Sequence, residues 1–214
     1  MGDDRRVEST PDLQWFRRPR QASAVVLVLH GGMPHSRDAV NRYGPTVARM
    51  IPFTWSLTRA RRDIAVALLR YAVRGWNGPA AHPVADARWA LAQIAERYPG
   101  RPVAVVGHSM GGRTALHVMD DPGVDVVATL AAWVERRDPA RGRPGQSVYL
   151  GHGAADRITA PVGSRVMASR LRSQGVDVTL EIVEGENHAL LRKARWWHRR
   201  VTAYVIGELE KRIA

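Results

Sequence analysis

Two hydrophobic patterns alternate along this chain. Short continuous apolar runs, such as 24–29, 103–106 and 148–150, are bounded by turn residues and read as strands buried on both faces. Longer stretches of mixed apolar and polar residues lie between them and read as helices. The pattern predicts strands near 24–30, 66–73, 103–108, 125–133, 147–152 and 178–184. It predicts helices near 36–50, 55–62, 83–97, 111–119, 162–174 and 189–211. Several boundaries have a local cause. Pro83 and Pro161 suit helix starts, Pro99-Gly100 stops a helix before the next strand, and Gly175 suits a helix end. Strand after helix after strand implies an α/β chain with a mostly parallel sheet of about six to seven strands and helices on both faces. Residues 24–214 are expected to form one domain, and 1–23 an arm or an edge strand near 13–16. At 214 residues and 45% hydrophobic, one sizeable core is possible. Trp89 and Trp196 are expected to bury against the sheet.

One strand–helix junction carries chemistry. Val105-Val106-Gly107-His108-Ser109-Met110-Gly111-Gly112 reads as a strand, then Gly-x-Ser-x-Gly, then a helix. That is the sequence of a nucleophile elbow, where the chain turns too sharply for side chains at the flanking glycines. Ser109 is therefore the candidate nucleophile. A serine hydroxyl needs a base and an orienting acid. Asp156 follows the strand that ends in His152-Gly153, and His188 follows the strand near 178–184. Asp138, in the loop after the predicted strand 125–133, is a weaker rival for the acid. The backbone N–H of Met110 is one candidate oxyanion donor. The turn His30-Gly31-Gly32-Met33 offers the other, from Met33 or alternatively from Gly32. Trp76 and Trp133 lie at strand ends on the site's side and are candidate pocket walls, although core packing would explain them equally well. His30, His108 and His152 also cluster at strand ends. A metal is not expected, because His30 and His108 belong to turn motifs where histidine packs or bonds to backbone.

The motifs around His30, Ser109, Asp156 and Asn187-His188, in the order Ser, Asp, His, resemble the α/β-hydrolase family in its small dienelactone-hydrolase-like or lysophospholipase-like branch. The resemblance runs from about Ala24 to the C-terminal helix. It implies an α/β-hydrolase fold and a serine hydrolase cleaving carboxylic esters or thioesters through an acyl-enzyme, without cofactor. Dienelactone hydrolases use a cysteine nucleophile, whereas this chain has serine there and no cysteine at all, which shifts the expectation toward ordinary esters. Family lids insert after the sixth strand, where this chain has only the loop 135–146, so no cap domain is expected and the site should be open. An acyltransferase or cyclase would use the same acyl-enzyme, and a non-catalytic ligand-binding protein could share the fold.

Charge changes the picture little. The net charge is +12, but the only lysines are Lys193 and Lys211, and the arginines are scattered. The densest run, 192–200, reads as the solvated face of a terminal helix rather than a nucleic-acid surface. The polar start of the chain does not read as a secretory signal, and the apolar runs are of strand length. A cytoplasmic protein with a small-molecule substrate, no nucleic-acid partner and no stable membrane insertion is the resulting expectation.

Overall fold

The computed structural model describes residues 9–213. Seven strands form one sheet: β1 (Asp12–Arg17), β2 (Ala24–Leu29), β3 (Ile64–Arg70), β4 (Val103–His108), β5 (Val124–Leu130), β6 (Ser147–Gly153) and β7 (Asp177–Val183). Their spatial order is β1-β3-β2-β4-β5-β6-β7. Only β1 runs antiparallel, pairing with β3; the rest are parallel. β2 and β4 are buried at every position, which is why they read as unbroken apolar runs. The expected edge strand near 13–16 is thus β1, and the arm expected over residues 1–8 lies outside the described residues.

Helices α1 (Pro45–Ala48), α2 (Ile51–Ala60), α3 (His82–Arg97), α4 (Met110–His117), α5 (Pro161–Arg172) and α6 (Ala194–Ile213) flank the sheet. Pro83 and Pro161 stand in first turns, and Gly100 and Gly175 take positive φ where the chain turns back toward a strand. The expected helix over 36–50 is mostly absent. Residues 38–40 are instead held by the chain after β3: Ala39 bridges Val73, and the Arg74 amide donates to Asp38 at 2.9 Å. The last helix begins at Ala194 rather than 189, after Leu190 adopts φ 54°. Likewise β5 stops at Leu130, where Ala131 takes φ 46°.

The tryptophan expectations also change. Trp89 and Trp196 are 39% and 36% exposed, while Trp197 is fully buried and lies against Gly151 of β6, where a Cβ would come within 2.7 Å of its ring. α6 therefore turns one residue away from the expected phase. Between β5 and β6 the loop 135–146 carries no helix. It is strapped to the body rather than free: Gln146 is buried and donates to the carbonyls of Met119 and Val124, and Asp138 is buried against α4. Among the described residues, no cap therefore covers the C-terminal ends of the strands. Among the described residues, no helix is long and apolar enough to cross a membrane.

Candidate active site

The β4–α4 junction is as tight as its glycines require. A Cβ on Gly107 would lie 2.2 Å from the Gly111 carbonyl oxygen, and one on Gly111 would lie 2.5 Å from that of Leu29. Ser109, at the tip, is held at φ 56°, ψ −117°, a strained conformation for a residue with a side chain. Neighbours fix it: its N–H donates to the Leu130 carbonyl at 2.9 Å, and its carbonyl accepts from Arg113 and Trp133.

Ser109 Oγ lies 3.0 Å from His188 Nε2, and His188 Nδ1 lies 2.8 Å from Asp156 Oδ2. The loops after β4, β6 and β7 thus bring together the three residues that the sequence singles out. The Asp156 side chain is fully buried. Burial alone would raise its pKa, but the amides of Thr159 and Ile158 and the His188 ring donate to it and hold the carboxyl below its ordinary value. It is therefore an anion facing an imidazole. Asp138, the rival acid, sits elsewhere: it accepts from Arg113 at 2.7 Å and from His117 at 3.1 Å.

Three further residues support the site: His108 and His152, which the sequence places at strand ends, and Thr159, which went unrecognised there. His108 Nε2 donates to the His188 carbonyl at 2.9 Å and so anchors the loop that carries the base. Burial lowers the His108 pKa to about 3, so the ring is neutral. His152 bonds Ser164 Oγ at 2.8 Å and the Thr159 carbonyl at 2.7 Å, and its Nε2 is 3.1 Å from Asp156. The Thr159 hydroxyl lies 2.8 Å from Asp156 Oδ2 and 3.0 Å from His188 Nδ1. The signal for Thr159 was a short polar turn, Asp156 to Pro161, that reads equally well as a helix cap. His30 has the packing role expected of it: Nδ1 donates to the Gly31 carbonyl at 2.6 Å while Nε2 accepts from the Tyr71 amide.

Two expectations need correction. The Met33 amide donates to the Arg74 carbonyl at 2.9 Å within a bridge to Gly75, so it is not free to face an oxyanion. Gly32, one residue earlier, lines the cavity beside Ser109. A Cβ there would strike the Met110 side chain and the Arg74 carbonyl at 2.3–2.4 Å. Met110 opens α4, whose first amides have no acceptor within the helix. Trp76 and Trp133 do not line the cavity of Ser109. They clamp the Arg113 guanidinium from two sides, 4.0 and 4.4 Å from the ring centroids. Trp133 also borders a separate apolar groove of about 370 Å³ with Ile158 and Val162.

The cavity at Ser109 measures about 540 Å³ and is bordered by Gly31, Gly32, Arg49, Arg157, Ile158 and His188, among others. Ile158 also borders the apolar groove, so the two adjoin.

A family model described as serine aminopeptidase, S33, matches residues 72–134, which include the elbow. No curated protein matches the chain by sequence. Among solved structures, an α/β-hydrolase-type protein of unknown function from Agrobacterium tumefaciens is similar at 17% identity and TM-score 0.72, over 95% of this chain and 93% of that one. Est1E from Butyrivibrio proteoclasticus, solved with ferulic acid bound, is similar at 10% identity and TM-score 0.69, over 94% and 96%. A Xanthomonas campestris α/β serine hydrolase described as lacking a lid matches at 19% identity and TM-score 0.61, over 88% and 84%. In sheet order, elbow and overall likeness, this chain is an α/β-hydrolase-fold protein.

Proposed function

We propose that the protein is a serine hydrolase of carboxylic esters or thioesters, with Ser109 as nucleophile, His188 as general base and acid, and Asp156 as the orienting anion. The observation that carries this reading is the continuous hydrogen-bond chain Ser109–His188–Asp156, on a strained elbow that borders a cavity. In the proposed reaction, His188 Nε2 takes the Ser109 proton as Oγ attacks the acyl carbon, then delivers it to the leaving oxygen or sulfur. Water, deprotonated by the same nitrogen, attacks the acyl-enzyme, and the proton returns to Ser109 as the acid departs. Asp156 holds the Nδ1–H tautomer and stabilises the imidazolium. The amides of Met110 and Gly32 are the proposed oxyanion donors, and removal of one such donor typically lowers turnover about 10²–10³-fold. The uncapped site favours small, accessible esters.

The test is hydrolysis of a p-nitrophenyl ester series from acetate to palmitate by wild type and Ser109→Ala, with an aminoacyl p-nitroanilide beside it. Serine-dependent turnover that is highest on short esters is expected. Turnover of the anilide alone would replace the ester reading by a peptidase one, and turnover unchanged in Ser109→Ala would end both. A cytoplasmic location belongs to the same proposal and is checked by fractionating cells that express the tagged chain.

A further inference from the structure

Two guanidinium groups border the Ser109 cavity, those of Arg49 and Arg157, and among the described residues no carboxylate borders it. Arg49 follows α1, is partly buried, and donates to the carbonyl of Ala189. Among the described residues, no acidic group lies within ion-pair distance of Arg49 or Arg157. Several other buried and half-buried arginines of this chain are matched by acids, Arg113 by Asp138, Arg200 by Glu181 and Arg212 by Glu208, whereas Arg170 bonds the Asp138 carbonyl. A partly desolvated cation with a single carbonyl partner is unfavourable unless an anion completes it. A guanidinium retains several further donors suited to a carboxylate or phosphate.

The position of Arg49 also says which part of a substrate it would meet. The proton carried by His188 must reach the leaving atom, so the leaving group lies on the His188 side of Ser109. Arg49 is fastened to the residue directly after His188. Taking the hydrolase reading above as its basis, we propose that the leaving group is anionic, an alcohol or thiol bearing a carboxylate or a phosphate. Arg49, assisted by the exposed Arg157, is the specificity-determining residue that holds that anion. The adjoining apolar groove beside Trp133 and Ile158 then remains for the acyl chain.

The experiment compares kcat/KM for 4-carboxyphenyl butyrate, 4-(phosphonomethyl)phenyl butyrate and the neutral 4-carbamoylphenyl butyrate in wild type, Arg49→Gln and Arg49→Lys. The expected result is a preference of about tenfold or more for an anionic ester, a size consistent with one charge-assisted contact. Arg49→Gln should abolish that ratio and Arg49→Lys should restore part of it. The ratio cancels any general damage to the His188 loop. The carboxylate and phosphonate arms separate the two anion sources. Equal turnover of charged and neutral esters, or a ratio unmoved by Arg49→Gln, overturns the inference and leaves the hydrolase intact. An Arg49-dependent preference for mono-4-nitrophenyl glutarate over 4-nitrophenyl butyrate, without one among the phenyl butyrates, overturns the leaving-group assignment. If no ester is turned over, the hydrolase reading fails by itself. Calorimetric titration of the intact carboxy and carbamoyl esters into Ser109→Ala then decides the anion site. Tighter binding of the anion, lost on adding Arg49→Gln, upholds it; equal binding overturns it.

Discussion

Asp138 and Asp156 are both buried aspartates in loops at strand ends, and their partners separate what each does. Asp156 faces the ring of His188, whereas Asp138 faces the guanidinium of Arg113, whose side chain is only 6% exposed. Replacing Asp156 by Asn puts an amide against His188 Nδ1 and favours the wrong imidazole tautomer. Turnover should fall by about 10⁴-fold with the fold intact. Replacing Asp138 by Asn leaves Arg113 with only the half-exposed Glu135 as an ionic partner. Stability should fall by about 3–5 kcal/mol, while kcat per folded molecule stays within about twofold of wild type. Burst titration with a slow ester counts the folded sites, and urea denaturation reads the stability. A large loss of kcat per site in Asp138→Asn would exchange the two assignments.

At the scale of elements, the elbow is the part most exposed to small changes. Gly111→Ala would force a Cβ to within 2.5 Å of the Leu29 carbonyl. Backbone atoms cannot swing aside as a side-chain tip can, so a loss of at least about 3 kcal/mol or failure to fold is expected. Gly207→Ala, on α6 with nothing within 4 Å of the added Cβ, serves as the control and should be neutral or stabilising. Thermal unfolding of the two variants checks both. This junction was legible in the sequence because its requirement is local: strand, glycine, serine, glycine, helix within ten residues. The strands were legible because burial on both faces removes polar residues from them. What was not legible depends on partners distant in sequence. Residues 38–40 could have been helical by composition, but the chain at 72–74 pairs with them. A second bridge of the same segment, to Gly75, takes the Met33 amide. Trp76 and Trp133 read as walls of the Ser109 cavity, but both pack on Arg113, from a third element, and Trp133 borders the adjoining groove instead. Thr159 gained its place beside His188 only once β6 and β7 had paired.

For the whole molecule, the buried histidines set the direction of its pH response. His30 is lowered to about 4, mainly by burial and further by Arg70, and His108 to about 3, mainly by burial. Both are neutral in the native state but bind a proton near pH 6.5 when unfolded. Between pH 6.5 and those lowered values the unfolded chain therefore holds more protons, so stability rises with pH and falls on acidification. Each ring contributes up to about 1.4 kcal/mol per pH unit within its window. Asp138 and Asp156, held below their ordinary value, act in the same direction at lower pH. Asp86 and Asp121, raised mainly by burial, oppose it just above pH 3.8. A net charge already at +12 grows on acidification, and self-repulsion adds to the loss. Urea denaturation between pH 8 and 4.5 should show a slope close to zero above pH 7 and a steep fall below 6.5. His108→Gln removes one titrating ring, so its slope below pH 6 should be shallower by up to about 1.4 kcal/mol per unit, even though its absolute stability is lower. A slope identical to wild type would mean that the His108 ring is protonated in the native state. Its bond to the His188 carbonyl would then be that of a cation rather than of a neutral anchor.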